Sequence, residues 1–261
     1  MSTATATAPP IAFDRTGSGP ALVLLHPLGA DRRVWAPVIP LLSRERELIA
    51  VDLPGFGGSP PLRGVEPTPA RLAEAVAAGL AAHGIEEFAA AGNSLGGWVA
   101  LELALAGRAR SVAAIAPAGL WPEPLPPRRT TARTAARLAS PFAGAITRVP
   151  ALRRSAMAMF VAHPDRMPAA AARDLIRAYA TAPGFAEVNA AMRANTFSRL
   201  AEIRVPVTLA WPEHDRVVGR LRHPPPNVRT VILPGTGHLP MWDDPQLVAG
   251  LLREPGFATS A

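Results

Sequence analysis

Short runs of consecutive apolar residues recur near both ends of the chain, and they constrain its fold more than any other feature. The runs are residues 21–26, 47–51, 88–91, 112–116, 205–210 and 229–233. Runs of this length are typical of strands buried on both faces of a parallel sheet. Helical patterns lie between them, at residues 35–42, 69–83, 95–106 and 246–253. The alternation predicts an α/β fold with a doubly wound, mostly parallel sheet, for which we expect eight strands with helices on both faces.

The middle of the chain has a different pattern. Residues 122–201 contain no strand-like run, and their helical stretches at 128–140, 152–161, 169–180 and 186–197 are separated by prolines. A helical block inserted between two strands predicts a cap over one edge of the sheet. We therefore expect a core formed by residues 1–121 and 202–261, with residues 122–201 as a helical cap insertion.

Charge is distributed unevenly along the chain. All 27 basic residues are arginine, and 12 of them lie within residues 122–201 beside only four acidic residues. This surplus is compatible with an anionic small-molecule substrate. The arginines follow helical patterns with few aromatic residues between them, and no nucleic-acid-binding motif is present, so we expect no nucleic-acid partner. The sequence indicates no oligomeric state.

Several other functions are disfavoured by composition. Cysteine is absent, which excludes disulfides, thiol nucleophiles and cysteine–metal sites. No apolar run approaches the roughly 20 residues of a membrane-spanning helix, and the first ten residues do not resemble a secretory signal. We expect no membrane partner and a cytoplasmic location. No metal-binding or nucleotide-binding motif occurs, so we expect no cofactor.

The strongest local motif is GNSLG at residues 92–96, which matches G-x-S-x-G. A predicted strand precedes it and a predicted helix follows it, as a nucleophile elbow requires. A serine on such a sharp turn needs small neighbours because other backbone passes close by. We therefore predict that Ser94 is a nucleophile.

A serine nucleophile needs a base, and the base needs an acid that orients it. In this arrangement the acid and then the histidine follow the serine along the chain. His238 ends a loop after the predicted strand 229–233, so it lies where active sites of such sheets occur. Asp215 follows the strand 205–210 in the same way, with Glu213 as its rival. Asp243 and Asp244 lie at a predicted helix start, where we expect them to act as helix caps.

An oxyanion hole should accompany this set of residues. We expect one donor to be the backbone N–H of Leu95, the residue after the nucleophile. The second should come from the loop after the first buried strand, and we assign it to the N–H of Leu28. Two such donors would stabilise the tetrahedral intermediate by several kcal/mol.

Five motifs in order resemble the α/β-hydrolase superfamily in its capped branch. They are HPLGADRRVW, DLPGFGGS, GNSLGG, WPEHD and GTGHLPMWDDP. The resemblance covers nearly the whole chain outside residues 122–201. That family usually has His-Gly where this chain has His26-Pro27, but its donor comes from the next position, so Leu28 can still serve. The resemblance implies that Asp52 orders the turn of residues 52–59. It disfavours the members with an aspartate nucleophile, the dehalogenases and epoxide hydrolases, because the elbow holds Ser94.

The predicted triad implies attack on an ester-like carbonyl through an acyl-enzyme. A carboxylic ester or lactone hydrolase is the simplest interpretation. The elbow and Trp242 also resemble the carbon–carbon hydrolases that act on vinylogous diketones, and a cofactor-free haloperoxidase or perhydrolase activity is a third alternative. A non-catalytic ligand-binding protein on the same scaffold stays open. Trp98, Trp121 and Trp242 are candidate substrate-pocket residues.

Overall fold

A seven-stranded sheet forms the centre of the molecule. The computed structural model describes residues 10–127 and 131–254. The strands are β1 (Phe13–Thr16), β2 (Ala21–Leu25), β3 (Glu47–Val51), β4 (Phe88–Asn93), β5 (Ala109–Ile115), β6 (Val207–Pro212) and β7 (Val228–Leu233). Their spatial order is β1-β3-β2-β4-β5-β6-β7. All neighbours are parallel except β1 and β3, which are antiparallel.

The predicted α/β fold with a mostly parallel sheet is confirmed, but the described residues supply seven strands where eight were expected. The six predicted strands all occur. The seventh, β1, was not predicted because three of its four residues, in the sequence FDRT, are exposed. An edge strand of this kind is held by its backbone pairing with β3, so it needs no apolar run.

The helices complete two cores, one on each face of the sheet. Side chains alternate along each strand, so Val23 and Leu25 of β2 enter one core while Leu22 and Leu24 enter the other. Helices α2 (Pro69–Ala81) and α3 (Leu95–Leu105) pack in the first core. Helices α1 (Ile39–Leu42), α9 (Pro240–Asp243) and α10 (Pro245–Arg253) pack in the second.

One predicted helix begins where it was expected, and another does not. Helix α2 begins as expected, with Thr68 as its N-cap accepting a hydrogen bond from the Arg71 N–H at 3.3 Å and Pro69 in the first turn. The helix expected at residues 35–42 is instead a 3₁₀ turn at Arg32–Trp35 followed by α1. Pro37 and Pro40 lack the N–H groups that a continuous helix would use there.

Between β5 and β6 the described chain is helical. It contains α4 (Thr131–Ala139), α5 (Ala143–Arg148), α6 (Pro150–Met157), α7 (Ala169–Thr181) and α8 (Phe185–Ala194). Short 3₁₀ turns lie at Ser140–Phe142, Pro164–Arg166 and Leu200–Glu202. The four predicted helical stretches correspond to α4, α6, α7 and α8, whereas α5 was not predicted; residues 128–130 of the first stretch lie outside the described residues. We call residues 122–201 the helical insertion.

Asp52 connects the end of β3 to the segment that follows β2. Its buried carboxylate accepts hydrogen bonds from the backbone N–H groups of Arg32 and Gly58, both at 2.7 Å, and pairs with the Arg32 guanidinium. Gly57 is necessary beside it, since a Cβ there would lie 2.0 Å from Asp52 Oδ2. Asp52 therefore orders the turn of residues 52–59 by binding main-chain donors.

No helix between residues 10 and 254, outside the gap at 128–130, is long and apolar enough to cross a bilayer. The same residues contain no group of three or more histidine, aspartate or glutamate side chains arranged as a metal site requires.

Replacing Asp52 by alanine should lower the free energy of unfolding by about 3 kcal/mol, because it leaves two buried N–H groups and the Arg32 guanidinium without their acceptor. Urea denaturation followed by circular dichroism measures this loss. Glu74→Gln is the control, since it removes the surface pair of Arg71 and Glu74 and should leave the transition midpoint almost unchanged. Equal effects of the two changes would contradict the role given to Asp52.

Candidate active site

Ser94 occupies a strained turn between β4 and α3. Its backbone has φ 56° and ψ −115°, a left-handed conformation that costs a non-glycine residue about 1–3 kcal/mol. Hydrogen bonds hold the turn on both sides. The Ser94 N–H donates to Ile115 O at 2.9 Å, and the Ser94 carbonyl accepts from the N–H groups of Trp98 at 3.1 Å and Ala118 at 3.0 Å. The backbone of the next strand therefore stabilises the elbow.

The glycines of the elbow leave space for backbone. A Cβ on Gly92 would lie 2.0 Å from Gly96 O, and a Cβ on Gly96 would lie 2.3 Å from Leu25 O. Neither position can carry a side chain without moving main chain. The second contact brings the start of α3 directly against the end of β2, and so against the loop that contains Leu28.

Asp215 and His238 form a direct pair on the loops after β6 and β7. His238 Nδ1 lies 2.8 Å from Asp215 Oδ2, and both side chains are almost fully buried. Burial raises the pKa of Asp215, but the His238 hydrogen bond and charge, with the N–H groups of Val217 and Val218, outweigh it and leave the pKa below its usual value. The ionised carboxylate is a hydrogen-bond acceptor for an Nδ1–H group, and in the neutral imidazole that carries this proton the lone pair is on Nε2.

Glu213, the rival acid, has a different partner. Its side chain is half-exposed and accepts a hydrogen bond from the Gly235 N–H at 2.7 Å. The His214 N–H also donates to Thr236 O at 2.8 Å. Glu213 and His214 therefore join the loop of residues 213–215 to the histidine loop, residues 235–238. Of residues 213–215, Asp215 is the one that bonds to the His238 imidazole.

The loop of His238 lies beside the elbow at the carboxyl edge of the sheet. The Asn93 side chain, adjacent to Ser94, donates to the His238 backbone carbonyl at 3.0 Å. Ser94 is 7% exposed and His238 is 3% exposed. Within residues 10–127 and 131–254 no hydrogen bond joins Ser94 Oγ to the imidazole. Such bonds are often long in a free enzyme and shorten when substrate binds.

The two backbone N–H groups expected to form an oxyanion hole, those of Leu28 and Leu95, have no hydrogen-bond acceptor among the described residues. Leu95 is the first residue of α3, whose first internal hydrogen bond runs from Trp98 N–H to Ser94 O, so the Leu95 N–H has no acceptor within the helix. The N–H of Leu28 has no acceptor among the described residues. The close contact of Gly96 with Leu25 O places the two loops that carry these groups beside each other.

His26 orders the loop of Leu28. Burial lowers the pKa of His26 despite its hydrogen bond to Pro27 O and the nearby carboxylates, so the imidazole is neutral at pH 7. Its Nε2 accepts from the Leu53 N–H at 2.9 Å, and its Nδ1 therefore donates to Pro27 O at 2.8 Å. These bonds order the loop at His26-Pro27, the position where the family that the sequence resembles usually has His-Gly.

Comparison with known proteins gives the family. The model of the alpha/beta hydrolase family matches residues 22–251, most of the chain. This chain belongs to the alpha/beta hydrolase family.

Individual curated relatives align with a smaller part of this chain than the family model does. A pimeloyl-[acyl-carrier protein] methyl ester esterase of Aeromonas hydrophila is 45% identical over 95 residues, 36% of this chain and 36% of that protein. The chain therefore spans about a third of the length of that esterase. Epoxide hydrolase EphH of Mycobacterium tuberculosis is 32% identical over 183 residues, 62% of this chain and 82% of that protein. An esterase structure from Thermogutta terrifontis shares the fold at a TM-score of 0.68 and 23% identity, covering 93% of this chain and 91% of that one.

The three candidate pocket tryptophans of this family member lie in two places. Trp98 and Trp121 pack edge to face with ring centroids 5.9 Å apart, in the first core. Trp242 packs with the second core, on the other face of the sheet. The structure therefore does not bring Trp242 together with Trp98 and Trp121 in one pocket.

Two surface cavities lie near Trp242 at the junction of core and insertion. One of about 310 Å³ has mostly apolar walls between the 3₁₀ turn Arg32–Trp35 and α7. A neighbouring cavity of about 540 Å³ shares Pro168 and Trp242 with it. Neither cavity is lined by Ser94, Asp215 or His238.

Most described arginines of the helical insertion have partners inside the protein. Backbone carbonyls accept hydrogen bonds from Arg133, Arg137, Arg153, Arg166 and Arg193. Carboxylates pair with Arg154, Arg173 and Arg199. Among the described arginines of the insertion, only Arg148 and Arg177 have no side-chain hydrogen bond or ion pair with another described residue. Arg128 and Arg129 lie outside the described residues.

Sequence reasoning missed three groups of this hydrolase that support the site. Asn93 was treated as a variable position of the elbow, yet its amide contacts His238. Ala116, with φ 43°, forms a second strained turn just after β5, next to the elbow. Asp243 was expected to cap a helix, but its carboxylate binds backbone N–H groups of residues 162, 163 and 237. The only available signal was the position of Asn93 inside the elbow motif.

Asp215→Asn should reduce kcat about 10⁴-fold, since a neutral amide neither fixes the Nδ1 proton nor stabilises the imidazolium that forms. Ester hydrolysis at pH 7 and 25 °C measures this change. Glu213→Gln retains an oxygen acceptor for Gly235 and should keep kcat within about threefold of wild type. A larger loss in Glu213→Gln than in Asp215→Asn would exchange the two assignments.

Proposed function

We propose that this alpha/beta hydrolase cleaves a carboxylic ester or lactone through an acyl-enzyme on Ser94. The observation that carries the proposal is the strained Ser94 turn next to the loop of a buried Asp215–His238 pair, in which the Asp215 carboxylate is ionised. Holding a serine at that φ lowers the stability of the folded protein, and such strain persists where a reactive group must project from the backbone.

The acylation step follows from the positions of the proton acceptors and donors. Ser94 Oγ forms a bond to the substrate carbonyl carbon while His238 Nε2 takes the hydroxyl proton. The carbonyl oxygen becomes an oxyanion, which accepts hydrogen bonds from the N–H groups of Leu28 and Leu95; each such donor contributes about 3 kcal/mol to lowering the barrier. The tetrahedral intermediate then breaks its bond to the alkoxy oxygen, which leaves with the proton from His238.

Deacylation repeats this chemistry with water. His238 Nε2 removes a proton from the water molecule whose oxygen attacks the acyl carbon, and the bond to Ser94 Oγ breaks with return of the proton to the serine. Asp215 stays ionised throughout and stabilises the imidazolium in both steps. The products are a carboxylic acid and an alcohol, or one hydroxy acid from a lactone.

The insertion supports a role as a cap over this site. A Cβ on Gly29, next to Leu28, would lie 2.5 Å from Tyr179 Cδ2 of α7 and 3.0 Å from Phe185 Cε2 of α8. The helices therefore pack directly on the loop that offers an oxyanion donor. We propose that the cap excludes bulk water from the acyl-enzyme and limits substrates to small molecules.

The relatives favour ester chemistry. The esterase of Aeromonas hydrophila is named for a methyl ester, so methyl esters belong in the first substrate panel. The chain spans about a third of that protein, and its carrier-linked substrate stays a candidate to test. EphH is named as an epoxide hydrolase, but the resemblance associates that activity with an aspartate nucleophile, and this elbow holds Ser94. Vinylogous diketones and peracid formation complete the panel for the two alternative activities.

A fluorophosphonate probe tests the nucleophile. We expect labelling at Ser94, located by mass spectrometry, and its complete loss in Ser94→Ala. Ser155→Ala is the matched control because Ser155 is exposed on α6, and it should label like wild type. Absence of label from a folded wild-type protein would favour a ligand-binding role for the same scaffold.

The basic insertion can be tested with substrate charge. Arg148 and Arg177 have no side-chain partner among the described residues, and both are exposed to solvent. Because water weakens the field of an exposed charge, we expect the double variant Arg148→Gln/Arg177→Gln to change the KM of an anionic ester and of its neutral analogue by the same factor, within about twofold. The two KM values at low ionic strength provide the measurement. A rise confined to the anionic ester would assign the positive charge to substrate binding.

A further inference from the structure

The carboxylate of Asp243 joins two segments that are far apart in sequence. The side chain lies five residues after His238 and is 2% exposed. Oδ2 accepts from the Gly237 N–H at 2.7 Å and from the Ala162 N–H at 3.0 Å. Oδ1 accepts from the His163 N–H at 2.7 Å. One buried carboxylate thus binds both the histidine loop and the helical insertion.

Further contacts strengthen the same junction. The Leu239 N–H donates to Phe160 O at 2.8 Å, and the Arg166 guanidinium donates to the Asp243 backbone carbonyl at 2.6 Å. No side chain fits between the segments at residue 237, where a Cβ would lie 2.7 Å from Ala162 N. The insertion is therefore joined to the residues on both sides of His238, directly to Leu239 and through the Asp243 carboxylate to Gly237.

His238 is held from the opposite side by the elbow. Asn93, adjacent to Ser94, donates to the His238 carbonyl, so one bond connects the histidine to the nucleophile strand. The bonds through Gly237 and Leu239 connect it to the insertion. The backbone around His238 is therefore held by the elbow on one side and by the insertion on the other.

The neighbouring aspartate has a local role. Asp244 accepts from the Leu247 N–H at 2.9 Å and caps α10, as the sequence predicted. Asp243 instead uses both oxygens for donors outside its own helix. Two adjacent carboxylates at one helix start therefore differ in what they connect.

We propose that Asp243 is a positioning residue that couples the helical insertion to His238. When residues 160–163 are bonded to Asp243, the loop of residues 237–239 is fixed and His238 faces the nucleophile. Movement of that segment away from the core breaks the Asp243 bonds and displaces His238, so the site is active only when the insertion is closed. This inference rests on the proposed function, in which His238 is the base.

Asparagine is not equivalent to aspartate at this position. An amide has one acceptor oxygen, and its NH₂ group would face either His163 N–H or the pair of N–H groups from Ala162 and Gly237. Asp243→Asn therefore breaks one half of the connection without removing side-chain volume. Asp244→Ala is the matched control because it removes a helix cap one residue away and leaves the insertion untouched.

Hydrolysis of a p-nitrophenyl ester and hydrogen exchange together test the coupling. In Asp243→Asn we expect kcat to fall about 10- to 100-fold with KM within about threefold, as misplacement of a reacting group predicts. Amide exchange should accelerate in both segments, residues 160–163 and 237–239. Asp244→Ala should keep wild-type kcat and wild-type exchange in both segments.

A second variant covers the case in which Asp243→Asn does not fold. Arg166→Gln alters an exposed side chain, and it should give a smaller loss of kcat with faster exchange in the same two segments. Wild-type kcat in the folded variants, or faster exchange in one segment alone, would overturn the coupling. Failure of the proposed function gives a different result, a folded wild-type protein that fluorophosphonate does not label. In that case hydrogen exchange still reports whether Asp243 connects residues 160–163 to residues 237–239.

Discussion

The close approach of main chain at the start of α3 is the constraint on which the rest of the site depends. Gly92 and Gly96 have no room for a Cβ, and the space they leave is filled by carbonyl groups of the elbow and of β2. This contact lets Ser94 adopt its left-handed backbone, with its N–H bonded to the last residue of β5 and its C=O bonded to the N–H of Ala118 just after that strand. It also brings the Leu28 loop next to the Leu95 N–H. The proposed nucleophile and the two proposed oxyanion donors therefore depend on one packing contact.

The loops around this contact are ordered by carboxylates that bind backbone N–H groups. Asp52 holds the turn after β3, Glu213 holds the loop before His238, and Asp243 holds that same loop to the insertion. Hydrogen bonds with a charged acceptor are about twice as strong as neutral ones, so a single side chain can fix a loop that has little core of its own. Of the loop carboxylates discussed, only Asp215 is bonded to an imidazole.

The high arginine content of the insertion has a structural explanation for most of its members. Its short helices expose many carbonyl groups, and arginine reaches them with a long side chain that carries several donors. Arg133 shows the pattern: it donates to the carbonyls of Tyr179 and Ala182 at the end of α7 while its guanidinium stacks on Phe185. At the end of α7, residues that give the segment its charge therefore also bind the last carbonyl groups of the helix.

The sequence by itself determined the α/β class, six of the seven described strands, and the candidates Ser94, Asp215 and His238, because apolar runs and loop positions are local properties of the chain. Only the tertiary structure decided between Asp215 and Glu213, since both follow the same strand and their partners depend on where a distant loop lies. It also revealed β1, whose pairing depends on a neighbouring strand, and separated Trp242 from Trp98 and Trp121. Asp243 and Asp244 differ for the same reason: the donors that reach a carboxylate come from segments whose proximity is set by packing, which no local pattern records.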